Sequence, residues 1–237
     1  MTNLVQINNL TYRKNNKTIL HDVNLTLSAG HFVGLAGANG AGKTTLMRLI
    51  AGVAKNYQGE ISVNGSASEV AKKAVVSYSD ELLGFSRQTT IHDVVFFYQT
   101  VYPDFSLERY QELAKFLKLK TDERLAILSK GTKERLTIAL TLARQASLYL
   151  LDEPFSGIDV MSRKQIIQGM LNWVSEEATI IISSHHLEEI AHILDELIII
   201  KDQTILEHRS TDDILEQEHL SIEDYFESLY AEDEDYD

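Results

Sequence analysis

Residues 32–51 read FVGLAGANGAGKTTLMRLIA, which joins an apolar run, a glycine-rich loop and a helical pattern. The apolar run from Phe32 to Ala36 is typical of a central strand. Leu46, Leu49 and Ile50 share the spacing of one helix face. A strand, a glycine loop and a helix in this order form the context that a phosphate-binding loop requires. We therefore expect an α/β fold built around this loop.

The glycine-rich loop itself predicts a site for the phosphates of a nucleotide. Its glycines permit positive φ, and its backbone N–H groups can approach a phosphate closely at a helix N-terminus. The Lys43 amine can reach the β- and γ-phosphates, and the Thr44 hydroxyl can contact Mg²⁺. The residues predicted to bind the nucleotide here are Gly37, Asn39, Gly40, Ala41, Gly42, Lys43, Thr44 and Thr45. An ordinary glycine-rich turn is the alternative, which the flanking strand and helix disfavour.

A second apolar run, from Leu148 to Leu151, leads directly into Asp152 and Glu153. Ligands of open α/β sheets bind at the carboxyl ends of the strands. Asp152 suits a contact to Mg²⁺ through water, and Glu153 can orient and polarise the water that attacks the γ-phosphate. A pair of solvated acids at a strand end is the alternative interpretation.

The rest of the chain alternates strand and helix patterns around one helical segment. Residues 5–12 and 23–27 alternate polar and apolar positions, which predicts an antiparallel edge region. From about residue 86 to residue 146, helical periodicity replaces the strand signals. We predict one α/β domain over residues 1–231, with a phosphate-loop NTPase core, a mainly parallel central sheet, an N-terminal antiparallel β region and an inserted α-helical subdomain. An acidic tail at 232–237 follows.

Four further segments carry regular patterns. Residues 74–78 and 178–184 are rich in apolar and β-branched side chains and predict strands. Residues 162–174 and 187–194 have helical spacing and predict helices.

Composition limits the classes of function. The 237 residues fit one large α/β domain but not two. The net charge of −13 argues against sequence-independent binding of nucleic acid. Eight of the acids lie from Glu223 onward, where there is no Lys or Arg. The absence of cysteine excludes disulfides and thiolate metal sites. No signal peptide is evident, and the apolar windows are far shorter than the roughly 20 residues that span a bilayer. We expect a soluble chain whose membrane association comes through a partner.

These motifs, in this order, resemble the ATP-binding subunit of an ABC transporter. Three more segments carry the resemblance, namely Ser129-Lys130-Gly131-Thr132, Ser156-Gly157-Ile158-Asp159 and His185. The resemblance implies ATP and Mg²⁺ as cofactors, a Tyr12 ring stacked on adenine, and a His185 switch that contacts the γ-phosphate and joins Glu153 in catalysis. A Tyr that closes a hairpin is the alternative for Tyr12. A metal site of His185, His186 and His192 is the alternative for the histidines, although no third carboxylate or thiol ligand is obvious.

The resemblance also assigns residues to a dimer. Ser129, Lys130, Gly131 and Thr132 match the signature turn, which acts in trans on the ATP held by a partner's phosphate loop, and Asp159 matches the loop that crosses the dimer interface. Lys130 stands where the family usually has a glycine, and Thr132 where it has a glutamine. Affinity and rate are therefore expected to differ while activity is retained.

A third difference from the family pattern concerns a glutamine that, in the family, senses Mg²⁺ and couples to the membrane subunit. The matching stretch here is Ser79-Asp80-Glu81. We assign that metal role to Glu81, because a carboxylate oxygen suits a hard cation. Asp80 and a plain surface turn are the alternatives.

The resemblance implies a head-to-tail dimer, of identical or different chains, that closes over two ATPs and moves separate membrane subunits at the cytoplasmic face of the cell membrane. The single short domain, residues 98–105 and residues 220–226 look like ATPases of the ABC-2 exporter type. The ATPase of an importer is the closest alternative function. A soluble ABC ATPase that acts on ribosomes or DNA ends is a second alternative, of a different class. A phosphate-loop kinase or GTPase is disfavoured by the signature turn and by His185.

Overall fold

The computed structural model describes residues 3–79, 82, 84–185 and 187–231. Its strands are β1 (Asn3–Lys14), β2 (Lys17–Ser28), β3 (Phe32–Gly37), β4 (Gln58–Val63), β5 (Val76–Tyr78), β6 (Leu148–Asp152), β7 (Thr179–Ser183), β8 (Glu196–Lys201) and β9 (Thr204–Ser210). Its helices are α1 (Lys43–Ile50), α2 (Glu69–Val75), α3 (Ile91–Val101), α4 (Leu107–Phe116), α5 (Lys130–Leu142), α6 (Val160–Trp173), α7 (Thr211–Asp213) and α8 (Ile222–Ala231).

The strands form two sheets. An antiparallel sheet has the order β2-β1-β4, and a larger sheet has the order β5-β6-β7-β3-β8-β9. Every pairing in the larger sheet is parallel except that of β8 with β9. The predicted fold class is therefore confirmed. Because β6, β7 and β3 are neighbours, their carboxyl ends meet at one edge of the sheet, which is where ligands of such sheets bind.

Helices α3, α4 and α5 lie in the chain between β5 and β6, within the segment predicted to be a helical insertion. The Thr90, Ser106 and Ser129 side chains each accept a hydrogen bond from a backbone N–H in the first turn of α3, α4 and α5 respectively. Tyr110 and Leu113 of α4 are buried as the periodicity predicts. These two side chains join a core cluster that also contains residues of β6, α6 and β7.

Arg144 joins this helical segment to the sheet. Its guanidinium is almost completely buried and contacts both carboxylate oxygens of Asp104 at 3.0–3.1 Å. It also donates to the Val76 carbonyl at 2.7 Å and the Lys73 carbonyl at 3.0 Å, and it lies 4.1 Å from the centre of the Tyr102 ring. One side chain thus connects the α3–α4 loop, the end of α2 and the start of β5.

The structure differs from the sequence prediction in two segments. The strand predicted over residues 74–78 spans only Val76–Tyr78, because α2 continues to Val75 and Arg144 binds the carbonyls at the end of that helix. Residues 187–194 form two short 3₁₀ turns, Leu187–Glu189 and Ala191–Ile193, instead of one helix. The buried side chains of Leu187 and Ile190 are three residues apart, which matches the 3₁₀ period.

Candidate functional site

The glycine-rich loop connects the end of β3 to the start of α1, as the sequence predicts. Gly37 has φ of +153° and Gly42 has φ of +115°. A Cβ atom at Gly37 would lie 2.7 Å from the Ile200 carbonyl oxygen, and one at Gly42 would lie 2.8 Å from the Leu20 side chain. Both positions therefore require glycine, which keeps the loop backbone close to the sheet and leads it into the N-terminus of α1.

Lys43 begins α1, and its side chain is 7% exposed. Its amine donates to the Gly37 carbonyl at 2.6 Å and to the Ala38 carbonyl at 3.3 Å, so the amine lies within the loop that it follows. Burial lowers the pKa of Lys43, and the charges of Glu153 and Asp152 partly oppose that shift. The loop cation and the two acids therefore interact electrostatically.

Ser183, at the end of β7, positions both acids. Its hydroxyl donates to Asp152 Oδ1 at 2.7 Å and accepts from the Glu153 backbone N–H at 2.9 Å. Asp152 pairs with Ser183 in the parallel register of β6 and β7. The Asp152 N–H donates in turn to the Ser79 hydroxyl at 2.9 Å. No sequence pattern points to a role for Ser183, because its proximity to Asp152 depends on the strand order.

Glu153 and His185, the two residues predicted to be catalytic, lie together. His185 Nδ1 is 2.7 Å from Glu153 Oε2. Glu153 has φ of +49°, a left-handed conformation that is uncommon for a residue other than glycine and that concentrates at functional sites. The turn after β6 thus sets the Glu153 carboxylate against the side chain that follows β7.

The signature turn and the loop after Glu153 pack against each other within one chain. Ser129 caps α5 by accepting from the Thr132 N–H at 3.2 Å. The Lys130 amine donates to the Ser156 hydroxyl at 2.9 Å. A Cβ atom at Gly131 would lie 2.9 Å from the Gly157 carbonyl oxygen, so the close approach requires glycine there. The contact between Lys130 and Ser156 was not predicted.

Asp159 caps α6 and lies next to this contact. Its carboxylate accepts from the Ser162 N–H at 3.0 Å and from the Ser162 hydroxyl at 2.7 Å. These hydrogen bonds lower the pKa of Asp159, so the side chain is anionic at neutral pH. A small cleft of about 400 Å³ is lined by Ser129, Lys130, Gly131, Arg135, Gly157, Ile158 and Asp159.

A larger cleft of about 800 Å³ contains two of the three residues assigned to Mg²⁺ and the residue assigned to the attacking water. Thr44, Asp152 and Glu153 line it, together with Lys130 and Ser156. A hydroxyl and a carboxylate are oxygen donors of the kind that a hard cation prefers, so Thr44 and Asp152 fit Mg²⁺. Within the described residues, no group of three or more His, Cys, Asp or Glu side chains could hold a metal by itself.

The remaining predicted residues have different outcomes. Tyr12 lies in β1, half-buried, and pairs with Leu20, whose side chain contacts the Gly42 position. This pairing places Tyr12 in the strand beside the one that approaches the loop, and the stacking of its ring on adenine stays a prediction. Glu81 and its alternative Asp80 fall outside the described residues, as does His186. Across the parts of the chain that the structure describes, no helix is long and apolar enough to cross a membrane.

Comparisons with known proteins identify the family. The family model described as "ABC transporter" matches residues 20–156, which is more than half of the chain. The ABC transporter ATP-binding protein YtrB of Bacillus subtilis is 30% identical over 95% of this chain and 78% of its own length. A probable ABC transporter ATP-binding protein of Cyanophora paradoxa is 31% identical over 96% of both chains.

A solved structure of the ATP-binding subunit of an ABC transporter superposes with a TM-score of 0.81 at 25% identity, and it covers 92% of this chain and 95% of that one. The family model, the relatives and the fold agree with the order of motifs around the phosphate loop. The chain belongs to the ABC transporter family as an ATP-binding protein, an ATPase of the kind that is coupled to transport.

Proposed function

We propose that this chain is the ATPase of an exporter. It binds ATP and Mg²⁺ on the loop from Gly37 to Thr45 and dimerises head to tail over two nucleotides. Separate membrane permease subunits then change conformation with it. The observation that carries the proposal is the grouping of Asp152, Glu153 and His185 beside the Lys43 loop.

Each side chain has a distinct chemical role in this proposal. The Lys43 amine and the loop amides neutralise the β- and γ-phosphates, while Thr44 and Asp152 hold Mg²⁺, which stabilises the charge that develops on the phosphates. Glu153 orients the attacking water and accepts its proton. His185 contacts the γ-phosphate and, through its 2.7 Å contact to Oε2, fixes the Glu153 carboxylate. Tyr12 stacks on the adenine ring.

The residues that line the second cleft support the proposed dimer. Ser129, Lys130, Gly131 and Thr132 form a helix start that can direct its positive end toward a γ-phosphate, and Asp159 lies beside that turn. In the proposed dimer these residues act on the partner's ATP. Because such contacts exist only in the closed state, ATP shifts the equilibrium toward closure and hydrolysis reverses it.

The exporter assignment rests on the resemblance of residues 98–105 and 220–226 to ATPases of the ABC-2 exporter type. The names of related proteins do not decide between export and import. One is an aliphatic sulfonates import ATP-binding protein, and another is a multidrug resistance-like ATP-binding protein. The rival proposals are an import ATPase and a soluble ABC ATPase without a permease.

Copurification from native membranes tests these alternatives. We expect the tagged chain, after extraction in mild detergent, to retain a permease with several membrane-spanning helices. The proposed location of this complex is the cell membrane, with the ATPase on the cytoplasmic face. The same purification from cells without the tag is the control. Capture of an extracellular solute-binding protein with the permease would indicate import. Bound ribosomes or nucleic acid in place of a permease would contradict a role in transport.

A further inference from the structure

The last helix, α8, reaches the phosphate loop through the hydroxyl of Tyr230. This hydroxyl accepts a hydrogen bond from the Ala38 backbone N–H at 3.2 Å and donates one to the Ile200 carbonyl at 2.7 Å. Ala38 is the second residue of the loop, and Ile200 lies near the end of β8. One hydroxyl therefore connects a C-terminal helix to the segment that binds the nucleotide.

The Ile200 carbonyl is itself in contact with the loop. Gly37 pairs with Ile200 in the parallel register of β3 and β8, and a Cβ atom at Gly37 would lie 2.7 Å from that carbonyl oxygen. The Tyr230 hydroxyl thus binds at the point where the loop leaves the sheet. Both of its partners belong to the backbone that sets the path of the loop.

The position of the Tyr230 ring is fixed by how α8 packs. The ring lies 4.9 Å from the Phe226 ring, and the Lys201 ammonium lies 5.2 Å from its centre. The same ammonium donates to the Leu229 carbonyl at 2.7 Å, which ties the end of α8 to β8. Ile222 and Tyr225 are buried on the apolar face of α8, in a cluster that includes Ala36 just before the loop.

A second tyrosine of α8 has a different set of partners. The Tyr225 hydroxyl donates to the Glu207 carboxylate and accepts from Arg209 Nη1 at 3.2 Å. Both partners lie in β9, which β8 separates from β3 in the sheet. Both tyrosines bind α8 to the sheet, but Tyr230 also accepts a hydrogen bond from the phosphate loop, whereas the hydroxyl partners of Tyr225 lie in β9.

We propose that Tyr230 is a positioning residue for ATP. Its hydroxyl restrains the Ala38 amide and so keeps the phosphate loop in the conformation that receives the nucleotide. A loop ordered in advance loses less conformational entropy on binding, so the restraint increases affinity. Through this one hydroxyl, α8 influences the affinity of a site to which the helix itself contributes no phosphate ligand. The proposal rests on ATP binding by the loop.

The test compares two matched variants, Tyr230→Phe and Tyr225→Phe. Each removes one hydroxyl and keeps the ring. Tyr230→Phe is expected to raise the Kd for MgATP about 3- to 10-fold, the effect of losing roughly one neutral hydrogen bond. The KM for ATP should rise in parallel while kcat at saturating ATP stays within about twofold. Tyr225→Phe should lower the thermal midpoint at least as much and leave the Kd unchanged.

Hydrogen exchange provides a readout that is independent of activity. In nucleotide-free protein, the peptide containing Ala38 is expected to exchange faster in Tyr230→Phe than in wild type, and at the wild-type rate in Tyr225→Phe. An unchanged Kd and exchange rate in Tyr230→Phe, or equal changes in both variants, would overturn the proposal. Failure of the wild type to bind MgATP would instead contradict nucleotide binding at this loop, and calorimetry on the wild type detects that separately.

Discussion

At the scale of single residues, the positions of the two acids depend on Ser183, a side chain with no assigned role in binding the nucleotide. Ser183 is fully buried, and its hydroxyl is hydrogen-bonded to both Asp152 and the Glu153 backbone. A shift of this hydroxyl would move the proposed Mg²⁺ ligand and the residue proposed to orient water together. Positional errors of this kind cost much more in rate than in stability, because catalysis depends on precise geometry.

Ser183→Ala is therefore expected to lower kcat by about tenfold or more and to reduce the free energy of unfolding by about 1–3 kcal/mol. The kinetic loss follows from the released carboxylate, and the stability loss from the buried partners left without the hydroxyl. Steady-state ATPase assays and urea unfolding measure the two quantities.

The control is Ser77→Ala, because Ser77 is also buried and donates to the Thr141 carbonyl at 2.8 Å without contacting either acid. It should lose comparable stability and keep its kcat. Equal kinetic losses in the two variants would show that Ser183 has only a structural role.

The sequence was sufficient to predict most of the individual residues that the structure brings together. Lys43, Asp152 and Glu153 could be assigned because each follows or begins a segment with a clear apolar pattern, whereas the role of His185 came from the family resemblance. The contacts of Ser183 and Tyr230 could not be assigned, because they join segments far apart in the chain and depend on strand order. Glu81 stays a prediction, since it lies outside the described residues.

At the scale of elements, periodicity predicted the strands and helices that have one strongly apolar face. It did not predict β9 and α8 as regular elements. Polar side chains of β9 such as Glu207, His208 and Arg209 conceal the alternation that marks a strand, since their partners lie in β8 and α8. The 3₁₀ turns after β7 were mistaken for a helix because both have apolar residues three apart.

The buried contacts of Arg144 lead to a prediction about the stability of the helical insertion. Asp104→Asn keeps the shape of the side chain but removes the negative charge beside a buried guanidinium. Since an uncompensated buried charge is costly, the variant is expected to lose about 1–3 kcal/mol of unfolding free energy. Urea unfolding, monitored by circular dichroism, measures this loss of free energy.

Glu69→Gln, which breaks the exposed ion pair with Lys55, serves as the control and should leave the midpoint nearly unchanged. If both variants unfold at the wild-type urea midpoint, the ion pair between Arg144 and Asp104 contributes no measurable stability.

At the scale of the whole molecule, the proposed reaction requires two copies of the ATP site. Glu153→Gln keeps the hydrogen-bonding shape of the side chain but removes the base, so ATP should bind without being hydrolysed. We expect ATPase activity to fall about 100-fold or more and an ATP-bound dimer to accumulate. Size-exclusion chromatography in saturating MgATP measures the dimer.

The matched control is Glu60→Gln, an exposed acid of β4 outside both clefts, which should behave as wild type. A Glu153→Gln variant that stays monomeric in saturating ATP and hydrolyses it at the wild-type rate would contradict the role of Glu153.

The contact between Gly131 and Gly157 has a consequence for how such a dimer turns over. In the proposed dimer the signature turn would act on the partner's nucleotide, while the loop through Ser156 and Gly157 follows the chain's own Glu153. Gly131 lies so close to the Gly157 carbonyl that a side chain would not fit between them, and Lys130 is hydrogen-bonded to Ser156. A movement of the loop after Glu153 toward the signature turn would therefore displace that turn, which would link the two ATP sites of the proposed dimer mechanically.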